Sequence, residues 1–406
     1  MNLTSLAFVS FLLLDQLLAT FTPFSSGLGL VIFMTSLFVS VLFSKRGNIH
    51  KQLVVSSPHL KTLNQRDVLV CIAIVIYSII ASASAPCKNQ MIFSLATVSM
   101  LVFVWFFSKW YLIKFESIKL IEPDHALVGL IIIFIFLCMA VSGYDLYSYL
   151  RGMPSNRPSG LFMEPSHLVL YSTPLALAGI SCLRTRLLSV MLTIFTFVLA
   201  YSLTFIVLFW VTSAIYFIYL LTKNEKLKQK VIKFTTLIAL ISIFVFTLHG
   251  GYIAERTQIK REAQTQNLSL QVYVNGWQLA KSTLFNTSAI GLGMGNMGCS
   301  TKINNEASQL TICLRDGSFL SSKIISELGF IGLIGIFLLL FYMYLTLKLA
   351  TRTNFNLLTS GSIGLLLTLL FIRGLPYFSA PVIFCFMVMT KEIIKLRLHR
   401  LPRNGT

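Results

Sequence analysis

The sequence predicts an all-α polytopic membrane protein with about twelve transmembrane helices, on three observations. Mean hydropathy is +0.78 over 406 residues, which excludes an ordinary soluble protein. Apolar runs of about 20 residues recur along the whole chain, each long enough to cross a bilayer as a helix. Lysines and arginines fall in short connectors between those runs, the positive-inside pattern of a membrane protein. The formal net charge of +19 is read from that pattern, and nucleic acid is not expected as a partner. A β-barrel would show short alternating segments instead. The sequence has none.

Taken in order, spans are predicted at 3–22, 26–44, 68–85, 90–112, 125–143, 166–183, 187–202, 204–222, 231–249, 325–347, 355–373 and 376–394. Met1 to Thr22 lacks a basic leading region and reads as the first span, not a cleavable signal. The run 187–222 is divided because one helix would be about 54 Å long, against a ~30 Å hydrocarbon core. It also has basic residues at both ends: Arg184 and Arg186 before it, Lys223, Lys226, Lys228 and Lys230 after. Both ends prefer the cytoplasm, so the run is expected to turn near Tyr201-Ser202-Leu203-Thr204. The topology then closes with both termini inside, the tail carrying Lys391, Lys395, Arg397, Arg400 and Arg403.

This order divides the chain into helices one to nine over 1–249, a large outward loop over 250–324, and helices ten to twelve with a basic tail over 325–406. The other substantial outward segment is 144–165. Extracytoplasmic chemistry belongs to these two loops. Of the seven cysteines, Cys71, Cys138, Cys182 and Cys385 lie in apolar runs and read as small core residues. Cys299 and Cys313 share a polar segment of the large loop. If it faces an oxidising compartment, a disulfide there is worth roughly 3 kcal/mol; two separately packed cysteines are the alternative. No Cys/His spacing resembles a metal site.

Residues 157–167 concentrate ionisable groups at a membrane edge, in a chain where only 12% of residues are charged. Such groups near a bilayer are costly and read as functional. Pro165 suits the first position of a helix, so Glu164-Pro165-Ser166-His167 is predicted to begin one. Its free N–H groups can bind an anion, and Arg157 would complete a phosphate-sized site. A helix cap beside a surface loop is the plainer alternative. In the large loop, Arg261 to Phe285 has helical spacing, with Leu270, Tyr273, Trp277 and Ala280 three and four apart. Gly291, Gly293, Gly295 and Asn296 follow. That cluster either cradles phosphate with backbone N–H groups or is a tight turn. Without a surrounding βαβ unit, it is not a nucleotide-binding fingerprint.

Three segments carry a resemblance. The first is Arg157-Pro-Ser-Gly160-Leu-Phe-Met-Glu164-Pro-Ser-His167. The second is the order Arg261, then Trp277-Gln278-Leu279-Ala280, then Gly291-Leu-Gly293-Met-Gly295-Asn296. The third is Ser321-Ser-Lys323-Ile-Ile-Ser-Glu327-Leu-Gly329-Phe-Ile-Gly332. Together they resemble the O-antigen polymerase and ligase superfamily of bacterial envelopes (Wzy and WaaL types). Ligases tend to carry a histidine shortly before the tenth span. Here Arg315-Asp316-Gly317-Ser318-Phe319 has none, and the polymerase branch is expected.

The resemblance implies a C-type glycosyltransferase fold in the bacterial inner membrane, with the site at its periplasmic face. It implies an undecaprenyl-diphosphate-linked oligosaccharide as donor, with no nucleotide sugar and no cofactor. It also implies membrane lipids, a chain-length regulator and a flippase as partners. The chemistry agrees: a diphosphate leaves as a stable anion, so cations matter more than a general acid, and arginine offers forked donors. Arg157, Arg261 and Arg256 are expected on the diphosphate, with Arg315, Trp277 and the glycine loop among the substrate contacts. Glu164 is expected to be the general base, with His167 positioning it or binding phosphate. Glu164 has two plainer readings, as a helix cap or as the salt-bridge partner of Arg157. A ligase, or a flippase for the same lipid-linked unit, is the competing function; a flippase commonly shows inverted repeats, and none is visible.

Overall fold

The computed structural model describes residues 65–84, 91–114, 165–180, 185–200, 202–222, 268–297, 319–350 and 357–400, with isolated positions in 128–133 and 236–250. The expected spans 3–22 and 26–44 lie outside these residues, as do 125–143 and 231–249 apart from those isolated positions. Among the described residues all regular structure is helical, with no strand. The helices are α1 (Gln65–Ser84), α2 (Met91–Lys114), α3 (Pro165–Ile180), α4 (Arg186–Ala200), α5 (Leu203–Thr222), α6 (Leu268–Asn286), α7 (Leu320–Ala350), α8 (Leu357–Phe371) and α9 (Ala380–Arg400).

Local chemistry explains the boundaries. Proline opens α3 at Pro165, where its missing N–H would be unbonded in any case. The apolar run 187–222 holds two helices, Arg186–Ala200 and Leu203–Thr222, which meet beside the expected turn. Helix α8 stops two residues before the expected end of its span. Ile372 and Arg373 both donate their N–H to Thr368 O, and Gly374 and Pro376 follow. The turn is closed by Ser379 N–H on Pro376 O at 3.0 Å, which delays α9 to Ala380. Helix α7 starts five residues before the expected span, through Ser321, Ser322 and Lys323. Hydropathy marks where a chain is apolar, whereas a helix continues wherever its backbone bonds do.

Helices α3 and α8 form the centre. Twelve residues of α3 and eleven of α8 are buried on all sides, as expected of helices without a polar face. Helix α8 packs against α5, α9, α7 and α3; α3 also packs against α4, α5 and α9; α1 pairs with α2, and α6 lies along α7. Gly361 and Gly364 let α8 approach α3 and α5 closely, since a Cβ there would collide with Leu177 and Thr212. Leu168, Tyr171, Leu365, Leu369 and Phe384 fill the core.

The outward faces are apolar as well. Leu69 is 65% exposed, Leu187 72% and Phe337 70%. One helix among the described residues is long and apolar enough to cross a membrane: Leu320–Lys348, 29 residues with hydropathy 2.5. Only 33% of its most apolar window is buried. Cys71 is half-buried and Cys385 fully buried, and neither is in a disulfide.

Candidate functional site

The site is built where α7 breaks. At Gly329 the backbone takes φ 56° and ψ −132°, a conformation that disfavours any side chain. A broken helix leaves carbonyls and N–H groups without their usual partners. The segment after α6 takes them. Leu292 N–H donates to Ser326 O at 3.1 Å, and Gly293 N–H to Glu327 O at 2.8 Å. In return Phe330 N–H donates to Ala289 O at 2.8 Å. Tyr77 of α1 fastens the two segments together, its hydroxyl 2.5 Å from Ile290 O and 2.9 Å from Leu328 O.

The glycines are what let the segments come so close. Gly291 and Gly293 have φ of 86° and 83°. A Cβ on Gly291 would lie 2.6 Å from Glu327 O. Gly291 N–H donates to Thr287 Oγ1 at 2.9 Å, and Asn296 N–H to Gly293 O at 3.2 Å. These amides are therefore already engaged within the protein. The loop is docked on α7 through the Leu292 and Gly293 amides.

Beneath the loop lies Glu327, fully buried. Its Oε2 accepts the Tyr377 hydroxyl at 2.8 Å. The backbone N–H groups of Gly295 and Met297 are directed at the carboxylate, and Lys323, one turn earlier on α7, lies near enough to favour its charge. The Lys323 ammonium sits 5.0 Å from the centroid of the Tyr377 ring, a cation–π geometry. Glu327 Oε1 and the Asn296 Oδ1 are buried with no hydrogen-bond partner among the described residues. Buried acceptors are normally satisfied, so a pair left open beside a cation marks a functional locus.

Aromatic rings close the outer side. Phe319, at the head of α7, is buried against Tyr273 and Trp277 of α6, with ring centroids at 5.0 and 4.8 Å. Trp277 remains 37% exposed, so one of its faces is open. The connector between α8 and α9 abuts the same place: a Cβ on Gly374 would lie 2.5 Å from Phe319 Cα. Arg373, half-buried, precedes that glycine.

Of the residues singled out in the sequence, Trp277, Gly291, Gly293, Gly295 and Asn296 belong to this one junction. His167 lies on a different element, half-buried in the first turn of α3. Arg157, Glu164, Arg256, Arg261, Arg315, Cys299 and Cys313 lie outside the described residues. Sequence reasoning placed Glu327 within a motif but gave it no role, and it missed Tyr377 and Tyr77. A carboxylate two residues inside the expected edge of a span was the available signal for Glu327. Nothing local marks either tyrosine. No protein-family model matches the chain, and no curated protein matches it.

Proposed function

We propose that this chain is a multi-pass membrane glycosyltransferase that polymerises polyprenyl-diphosphate-linked oligosaccharide units at the outer face of the cytoplasmic membrane. About twelve spans with both termini cytoplasmic are part of this reading. One observation carries it most: a buried, charged junction lies at the break of a membrane-length helix, where the largest polar loop returns. From Phe330 to Ala350 the second part of α7 is about 31 Å long at roughly 1.5 Å per residue, matching a ~30 Å hydrocarbon core. The break at Gly329 then sits at the bilayer edge, level with the headgroup of a lipid-linked substrate.

In this reading the acceptor hydroxyl attacks the anomeric carbon of the donor. The bond from that carbon to the diphosphate oxygen breaks, and the diphosphate leaves as an anion. Arg157, Arg256, Arg261 and Arg315 neutralise it, with Lys323 adding a cation fixed beside the junction. Glu164 receives the proton of the hydroxyl, and His167 holds the start of α3 toward it. Trp277 offers its open face to a sugar ring.

Purified protein in detergent, supplied only with lipid-linked oligosaccharide, should produce a ladder of lengthening chains on a denaturing gel. A flippase yields no ladder. A ligase yields a single transfer, and only when its acceptor is added. Either outcome would refute the polymerase reading.

A further inference from the structure

We propose that the neighbouring starts of α7 and α9, with Lys323 and Arg373, form a binding site for a phosphate or diphosphate group. That the group belongs to the lipid-linked donor rests on the polymerase reading. The anion site itself does not.

The connector between α8 and α9 lies along the first two turns of α7. At one end, a Cβ on Gly374 would stand 2.5 Å from Phe319 Cα and 3.0 Å from Leu320 N, the first amide of α7. At the other, the Tyr377 hydroxyl meets Glu327 at 2.8 Å, and the Tyr377 ring centroid lies 5.0 Å from the Lys323 ammonium. The start of α9 follows directly, so two helix starts are neighbours here, and neither has a side-chain cap of its own. Phe319 stands at the N-cap of α7, its carbonyl accepting Lys323 N–H at 3.4 Å, and its side chain has no polar atom to offer. Ser379 stands at the N-cap of α9, its carbonyl accepting Ile383 N–H at 3.1 Å, yet its hydroxyl has no partner. Ser321, in the first turn of α7, also leaves its hydroxyl without one, and both serines are fully buried.

What the two helix starts leave open can donate. First-turn amides have no helical partner, and the partial positive charge of a helix start attracts anions. Each orphan hydroxyl is a donor as well, and buried polar groups are normally satisfied. Two cations stand with them: Lys323 in the first turn of α7 and Arg373 immediately before Gly374, both half-buried. A metal ion would be repelled by this set, whereas a phosphate offers acceptor oxygens in several directions at once. The carboxylate of the junction, Glu327, does not oppose it directly. It lies two turns into α7, about 10 Å beyond Leu320 at 1.5 Å per residue, and is bonded to Tyr377. Gly374 completes the fit, because any side chain there would force the connector off the first amide of α7.

The test measures binding of inorganic pyrophosphate and of farnesyl diphosphate to the full-length protein in detergent, by titration calorimetry. Both should bind the wild type, and pyrophosphate should slow hydrogen exchange at Leu320 to Ser322, the open amides of α7. Arg373→Gln and Lys323→Gln should each weaken binding about tenfold or more, the effect of losing one hydrogen bond to a charged group. Ser379→Ala should weaken it severalfold while leaving the thermal midpoint within a few degrees. If either charge variant fails to fold, the other and Ser379→Ala decide. Absence of binding to the wild type, or wild-type affinity in every folded variant, would overturn the proposal. Equal affinity for the two probes would uphold the site as one for the phosphate groups alone. Tighter binding of farnesyl diphosphate would uphold it as the seat of a lipid-linked headgroup. Binding that these variants weaken, in a protein whose wild type makes no polymer, would uphold the site and refute the polymerase reading.

Discussion

Gly329 and Gly335 occupy the same helix and differ in what surrounds them. At Gly329 the backbone has φ 56°, and a Cβ would lie 2.6 Å from Ala289 C and 2.7 Å from Ile290 C. At Gly335 a Cβ would meet nothing within 4 Å. Gly329→Ala therefore imposes about 1–3 kcal/mol of backbone strain and pushes the docked loop away. Gly335→Ala removes a helix-weakening glycine and should be neutral or stabilise by up to about 1 kcal/mol. Thermal unfolding in detergent checks both, and equal midpoints for the two variants would contradict the geometry. Three further substitutions test the charged residues of the proposed reaction. Arg157→Ala should abolish polymer at normal protein abundance, whereas Arg157→Lys should restore it only in part, lacking the forked donors. Full activity in the lysine variant would mean that charge alone suffices. Glu164→Gln keeps most hydrogen bonds but cannot take the proton. Loss of polymerisation with intact donor binding would support the base, and retained polymer would assign Glu164 to helix capping.

Between elements, one ring adds to the clasp of α6 on α7, beside the packing of Ala280 against Ile325 and Ile336. Phe319 is 1% exposed and meets both Tyr273 and Trp277. Phe319→Ala should destabilise by about 3–5 kcal/mol, typical of a fully buried phenylalanine. The loss should appear first as faster hydrogen exchange in α6, while the central pair α3 and α8 stays protected. Uniform loss of protection across all helices would show that α6 is part of the core and not a satellite of α7. A smaller change tests the fastening from α1. Tyr77→Phe removes one hydroxyl that bridges Ile290 O and Leu328 O, and should cost about 1–2 kcal/mol. The expectation of a helix over 261–285 was close to the observed Leu268–Asn286, because spacings of three and four survive in a loop that folds back on the protein. The break in α7 had no such signature. A glycine inside an apolar run reads equally as a packing site or as a kink.

For the molecule as a whole, orientation decides whether the proposed chemistry is possible. Single cysteines introduced at Gly276 and Lys226 should label from opposite sides of the membrane, Gly276 outside and Lys226 inside. Labelling of Gly276 from the cytoplasm would place the junction among nucleotide sugars and refute a lipid-diphosphate donor. The apolar outer faces, with Leu69, Leu187 and Phe337 turned outward, fit lipid better than water. Helices α3 and α8, buried all round, are the frame against which α7 is held.

The all-α class, the eight described helices at expected spans and the division of 187–222 were legible in the sequence. Each depends on properties local to about 20 residues: apolar length, the position of proline and the placing of basic side chains. The union of Trp277 and the glycine cluster with Glu327, Lys323 and Tyr377 was not legible, and it was decided by the tertiary structure. Tyr77 bonds a carbonyl 251 positions away, and Tyr377 bonds a carboxylate 50 positions away. Such bonds leave no periodic trace in either segment. Hydrogen-bonding capacity released by one broken helix was matched by a loop distant in sequence, and only the packed chain brings the two together.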